Sequence, residues 1–260
     1  MTQIATRLNV EIDPETLEFR YGPGVRGPKA EFRTLDAIRS SLMDPGCEGP
    51  SPVYSIAMDV RCEEDERALK AHYLLFGVVA YAAGQLGKEP VRSQGHVHAI
   101  AAHSGWSSPE LFEIWEGKAI IYAQERTTDD PGRCVAVAAI PGEKVVVPPG
   151  WAHAVINTDI HRRMVFGAWC DRQYGFDYTG VRAHGGLAHF PIVQADGAIE
   201  WMANDRYRAA QLEQRKSRQY PELGLDPIEP IYMQYRRHVD SVQWVAQPER
   251  FAELWPQFEP

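Results

Sequence analysis

The 260-residue sequence predicts an all-β fold, a barrel or a sandwich, on three observations. Short runs rich in β-branched and aromatic residues recur from Val53 to Cys170, and turn residues separate them. Within one run, His96 and His98 are two residues apart, the spacing that aims side chains to one face of a strand. Many short strands bury their apolar sides only by closing on themselves or by packing sheet on sheet.

Residues 1–15 carry acidic side chains and no apolar run of the kind a secretory leader needs. The Pro/Gly-rich stretch 22–28 reads as an extended arm. Thr34 can cap a short helix over residues 35–43, which Asp44-Pro45-Gly46 stops. Strands are expected over residues 53–60, 73–83, 94–100, 110–115, 118–124, 133–140, 143–147, 154–157 and 163–170. Glu116-Gly117 is expected to turn a hairpin, Pro141-Gly142 to make a further turn, and Ala195-Asp196-Gly197 to join residues 190–193 and 199–202 tightly.

Beyond residue 204 the composition changes. Residues 205–219 are charged with helical propensity, and a Pro-rich connector follows over 221–230. The expected organisation is a barrel with its N-terminal arm over 1–204 and a partly helical C-terminal extension over 205–260. The aromatic residues of that extension, Tyr232, Tyr235, Trp244, Phe251 and Trp255, are expected to pack over the barrel or a partner subunit.

A formal net charge of −8 opposes the basic footprint that nucleic acid or an anionic membrane surface requires, so neither partner is expected. The longest apolar stretch, residues 73–83, falls short of the ~20 residues of a membrane span. Cys47, Cys62, Cys134 and Cys170 lie far apart with no C-x-x-C pair, which predicts reduced thiols in a cytoplasmic protein and a metal site without thiolate.

Four residues carry the chemistry. His96 and His98 share a face, Glu110 opens the next strand, and His153 follows the turn Pro148-Pro149-Gly150. Three imidazole nitrogens and one carboxylate oxygen leave two positions open on an octahedral ion, which suits Fe(II), Mn(II), Ni(II) or Zn(II). Open positions point to catalysis, since structural zinc sites are closed by four protein ligands.

The segments Ser93-Gln94-Gly95-His96-Val97-His98, Pro109-Glu110-Leu111-Phe112, Gly117-Lys118 and Val147-Pro148-Pro149-Gly150-Trp151-Ala152-His153-Ala154-Val155-Ile156-Asn157 resemble the cupin-type phosphoglucose isomerases of archaea and some bacteria. Gly87-Lys88-Glu89, separated from Ser93 by three residues, and Gly175-Phe176-Asp177-Tyr178 are similar to that family's G-x-E and G-H-D-Y segments. The likeness runs from about Phe32 to Asp205. It implies a cupin (double-stranded β-helix, jelly-roll) barrel, a homodimer, and one divalent ion per subunit, Fe(II) first, on His96, His98, Glu110 and His153. It also implies interconversion of glucose 6-phosphate and fructose 6-phosphate, a step of glycolysis and gluconeogenesis.

Departures from the pattern bear on the substrate. The family's phosphate-side threonine is Val79, its proline is Ala83, and Ser93 keeps a hydroxyl where threonine is usual. Phe112 and Phe176 replace a tyrosine and a histidine that face the sugar in relatives, and loss of paired polar groups changes which hydroxylated substrate a pocket accepts.

A divalent ion chelating a carbonyl oxygen and the neighbouring hydroxyl polarises both. Glu110 then either carries a proton through an enediol or serves as a ligand beside a hydride shift, and the sequence leaves both routes open. For the phosphate, the Ser93 hydroxyl and the Gly95 N–H are candidates, with Arg92 or Lys88 supplying charge. Tyr178 is a candidate substrate contact, His103 reads as a surface-loop residue, and Glu113 has the wrong strand parity to join the metal. An Fe(II)-dependent oxygenase and a non-catalytic sugar-binding barrel are the two other readings.

Overall fold

A computed structural model describes residues 8–260; residues 1–7 of the stretch expected to carry no leader lie outside it. Its centre is two facing sheets. One has six antiparallel strands in the spatial order Lys144–Val147, Glu110–Glu116, Met164–Asp171, Leu74–Tyr81, Tyr54–Met58 and Glu31–Arg33. The other has four, Ala152–Asn157, Ala119–Gln124, Cys134–Ala139 and Leu212–Lys216.

Strand parity divides the side chains into three apolar layers. Val79, Tyr81, Phe112, Ile114 and Phe166 of the larger sheet meet Ile121, Ala123, Val135, Val137 and Val155 of the smaller one and fill the barrel. Their sequence neighbours point outward. Phe76, Val78, Leu111, Trp115 and Trp169 form the outer face of the larger sheet, covered by Leu8, Val10 and Ile12 from the N-terminus and by Tyr232, Tyr235, Trp244 and Trp255 from the C-terminus. On the smaller sheet, Tyr122, Cys134, Ala136 and Ile156 face out beneath Val181, Leu187 and Tyr207. Strands buried on both faces read as continuous apolar runs, which is why residues 73–83 and 163–170 show so little alternation.

The helix capped by Thr34 spans Leu35–Ile38 and tightens into a 3-10 turn over Arg39–Ser41. The hairpin around Asp196 joins His189–Val193 to Ile199–Ala203. Residues 22–28 are strapped down, with Val25–Arg26 paired to Arg61–Cys62.

Two expectations are corrected. Glu116-Gly117 makes no hairpin: Glu110–Glu116 pairs with Lys144–Val147 and Met164–Asp171, whereas Ala119–Gln124 pairs with Cys134–Ala139 and Ala152–Asn157. The turn carries the chain between sheets, with Gly117 at φ +80° against the Arg163 carbonyl. Residues 205–219 are not helical. Leu212–Lys216 runs parallel to Cys134–Ala139, because the open edge of that strand offers backbone hydrogen bonds that outweigh helix propensity, and a charged strand suits an exposed edge.

The C-terminal aromatics pack on the barrel wall itself. Trp169 stacks on Tyr232 at 5.4 Å and donates from Nε1 to the Ile231 carbonyl at 3.2 Å. The Tyr232 hydroxyl donates to Asp65 at 2.8 Å and accepts from the Cys62 N–H at 2.9 Å. Among the described residues no helix is long and apolar enough to cross a membrane. Cys47, Cys62, Cys134 and Cys170 are all free thiols.

Candidate metal centre

Residues 91–96 lie along the edge strand Ala152–Asn157 of the smaller sheet, with Asn157 N–H donating to Val91, Ser93 N–H to Val155 and His96 N–H to His153. Only Val97–His98 of the predicted 94–100 strand is regular, and it turns away to pair with Phe176–Asp177. His96 stands directly opposite His153, and His98 is two residues on, so the three imidazoles converge on the barrel interior. Glu110 arrives from the facing sheet, sharing its parity with Phe112.

One donor atom from each of His96, His98, Glu110 and His153 lies within 4.8 Å of every other. His153 Nε2 is 2.9 Å from Glu110 Oε2, and His98 Nε2 is 3.2 Å from the same oxygen without the alignment of a hydrogen bond. Two ligands in adjacent octahedral positions, each ~2.1 Å from an ion, stand ~3.0 Å apart.

The imidazoles are oriented from behind. His98 Nδ1 is 3.0 Å from the Ser108 carbonyl and His153 Nδ1 is 3.2 Å from that of Trp151, so each Nδ1–H donates outward and leaves an Nε2 lone pair facing the centre. The Nε2 atoms of His96 and His98 are buried without a hydrogen-bond partner. Lone pairs gathered around a carboxylate repel unless a cation lies among them, and this donor set fits a divalent ion of the Fe(II) to Zn(II) group.

The electrostatics agree. Burial, together with the charge that His153 and His98 would carry, holds the His96 imidazole well below its ordinary value, in the neutral form that binds metal. Burial opposes ionisation of Glu110, but the facing His153 and His98 outweigh it and keep the carboxyl well below the usual range.

A cavity of about 50 Å³ opens from the donors, walled by Tyr54, Tyr81, Ser93 and Tyr178 and by the apolar Ile56, Val79, Phe112, Phe166 and Phe176. Ser93 and Tyr178 thus both line this cavity. Gly95 does not line the cavity: it sits at φ +89°, where an added Cβ would come within 2.8 Å of Leu187 in the outer layer. Arg92, one residue before Ser93, points the other way. Its Nε reaches Glu89 at 2.6 Å and its terminal nitrogens the Ser41 and Ser93 carbonyls at 2.7 and 2.9 Å, so its charge is spent behind the wall.

His103 is tied to Asp171 at 2.5 Å and stacked on Tyr73, away from the donors. Glu113 faces outward and accepts from Trp115 Nε1 at 3.1 Å. Tyr54 and Tyr81, stacked at 4.8 Å, were missed as site residues. The signal was present, because Tyr54 shares parity with Ile56, and Tyr81 with Val79, on strands already expected.

A protein-family model for Glucose-6-phosphate isomerase (GPI) matches residues 39–209. Similar curated proteins are the glucose-6-phosphate isomerases of Thermococcus gammatolerans, 30% identical over 187 residues (70% of this chain, 90% of that one), and of Pyrococcus horikoshii, 26% identical over 189 residues (71% and 91%). That of Thermococcus litoralis is 29% identical over 198 residues (74% and 94%). Among solved structures, an oxalate oxidase in complex with the substrate analogue glycolate is similar over 41% of this chain and 46% of that one, at 16% identity and a TM-score of 0.33. With about two thirds of its length matched, its barrel intact and its four donors gathered inside, the chain belongs to the glucose-6-phosphate isomerase family of cupin type and is an isomerase of that kind.

Proposed function

We propose that the protein is a metal-dependent aldose–ketose isomerase that interconverts glucose 6-phosphate and fructose 6-phosphate. The observation that carries this reading is the meeting of three imidazoles and one carboxylate at the end of a cavity whose polar wall is made of tyrosine and serine hydroxyls. A divalent ion held by His96, His98, Glu110 and His153, with Fe(II) first among the candidates, would supply Lewis acidity to the carbonyl and its neighbouring hydroxyl.

The protein's own groups do the rest. Glu110 directs Oε2 at both imidazoles, which leaves Oε1 as the oxygen for a substrate proton. In the aldose-to-ketose direction Glu110 takes the C2 proton, the C2–H electron pair forms the C1–C2 double bond, and the carbonyl oxygen takes the proton of the neighbouring O2 hydroxyl. The O2 electron pair of the resulting enediolate then forms the C2 carbonyl, and the C1–C2 electron pair takes the proton back from Glu110 at C1. Tyr54, Tyr81 and Ser93 orient the sugar hydroxyls, while Phe112, Phe166 and Phe176 keep water from the enediol.

The cavity volume of about 50 Å³ is well below the ~300 Å³ of small-ligand sites, so its wall opens to admit a hexose. The wall most easily moved is Phe176–Asp177, held by a two-residue ladder to Val97–His98. A homodimer in the cytoplasm completes the reading, and four free thiols fit a reducing compartment.

The test is a coupled assay of the Mn(II)- or Fe(II)-loaded protein with both hexose phosphates. Turnover in both directions, abolished by chelation and restored by the ion, is the expected result. Full metal occupancy without turnover of any aldose phosphate would overturn the proposal.

A further inference from the structure

The cavity wall contains neither lysine nor arginine, yet a sugar phosphate brings a dianion that must be compensated. Arg92 is committed to Glu89 behind the wall, as described above. A compensating cation therefore has to be sought elsewhere in the chain. Arg33 belongs to the edge strand Glu31–Arg33 and stands directly opposite Tyr54, which lines the cavity. Cross-strand partners point to the same face of an antiparallel sheet, so the Arg33 side chain rises on the cavity side at the open rim. Its side chain is 18% exposed.

Arg33 is paired at 2.5 Å with Glu31, whose own side chain is 65% exposed and therefore free to turn into water. Across the mouth stands Tyr178. Burial raises its phenol, while hydrogen bonding and charge from Arg33 draw it down. The Tyr178 ring is capped by Arg182, whose guanidinium carbon lies 4.8 Å from the ring centre and whose Nε donates to Gln94 at 3.1 Å. Tyr178 also lies close to the donors, its ring centre 6.0 Å from that of His96. A hexose held at C1 and C2 by the metal would extend its far end toward this rim.

We propose that Arg33 is the phosphate-holding residue of this site, with the Tyr54 and Tyr178 hydroxyls beside it and Glu31 as the exposed carboxylate that the phosphate displaces. The proposal rests on the isomerase reading. A guanidinium fork suits a phosphate through two parallel N–H donors, and this partly buried one already holds an oxyanion, the Glu31 carboxylate. Specificity for a phosphorylated sugar would then come from the edge strand Glu31–Arg33, since Val79 on the inner strand Leu74–Tyr81 offers no hydroxyl.

The experiment compares Arg33→Gln, Arg33→Lys and Glu31→Gln with the parent chain, all metal-loaded and checked for equal metal content and near-UV circular dichroism. The readout is the ratio of kcat/KM for glucose 6-phosphate to kcat/KM for glucose. Arg33→Gln is expected to lower that ratio by ~10-fold or more, the scale of a charge-assisted hydrogen bond, through KM. Arg33→Lys should recover part of the loss, and Glu31→Gln should raise the ratio by removing the competing anion. Equal losses on both sugars, or an unchanged ratio, would overturn the assignment.

Calorimetric binding of glucose 6-phosphate and glucose keeps the two readings apart. If the parent chain turns over neither sugar, the isomerase reading fails, while a preference for the phosphorylated ligand that disappears in Arg33→Gln still supports Arg33. No preference in the parent chain would remove the phosphate site altogether.

Discussion

His96 and His153 exchange both backbone hydrogen bonds, His96 N–H to the His153 carbonyl at 3.1 Å and His153 N–H to the His96 carbonyl at 2.9 Å. This mutual pairing holds two imidazoles from distant parts of the chain on one face, ring centres 4.4 Å apart. The site is thus preorganised by main chain, and its side chains are the variable part.

Removing the metal should cost stability as well as activity. A ligand bound only by the folded state stabilises it by ~2.7 kcal/mol at 100 times its Kd. Thermal melts with EDTA and then with excess Mn(II) should show Tm fall and recover, and a Tm indifferent to both would count against a resident ion.

Glu110→Gln separates the two roles of the carboxylate. The amide oxygen can still face the metal but cannot carry a proton, so kcat should fall by ~10²–10⁴-fold, the range for a general base, while metal is retained with weaker affinity. Near-parental kcat in a metal-loaded variant would leave Glu110 as a ligand alone.

Gly95→Ala probes the turn that delivers His96. An L-residue at φ +89° is strained by ~1–3 kcal/mol, and the new Cβ would meet Leu187 at 2.8 Å. Denaturant unfolding should report a loss of at least that size, with metal affinity reduced; an unchanged midpoint would show that the loop relaxes freely.

Tyr232→Phe removes the hydroxyl that joins Asp65 and the Cys62 N–H beneath the C-terminal segment. Stranding those partners should cost ~1–3 kcal/mol by denaturant titration, with kcat preserved because the aromatic layer lies outside the barrel. A fall in kcat without loss of stability would instead link this layer to the centre.

Ligand entry should leave a trace in hydrogen exchange. If the Phe176–Asp177 wall opens to admit a sugar, its amides should exchange quickly in the free protein and slow on binding, whereas slow exchange in both states would place the entrance elsewhere.

The barrel and the four donors were legible because local pattern and function coincide there. Period-two spacing put His96 and His98 on one face, and the strand after Pro148-Pro149-Gly150 could deliver His153 to it. Pairing between sheets was not legible: nothing local distinguishes a Glu116-Gly117 hairpin from a turn that changes sheets, since the partner strands lie tens of residues away. For the same reason the strand Leu212–Lys216 read as helix, its partner edge being invisible in its own composition. Arg92 neighbours Ser93 in sequence, but consecutive residues of an extended segment face opposite ways, and its guanidinium meets Glu89 and the Ser41 carbonyl instead. Arg33 comes close only through its register with Tyr54.

The most direct measurement is calorimetric titration of the metal-free protein with Mn(II). One ion per chain, with affinity lowered by ~100-fold or more in His153→Ala, is the result expected of a centre to which that histidine gives one of four ligands. Binding that is absent, or that survives unchanged in His153→Ala, would contradict a centre formed by His96, His98, Glu110 and His153.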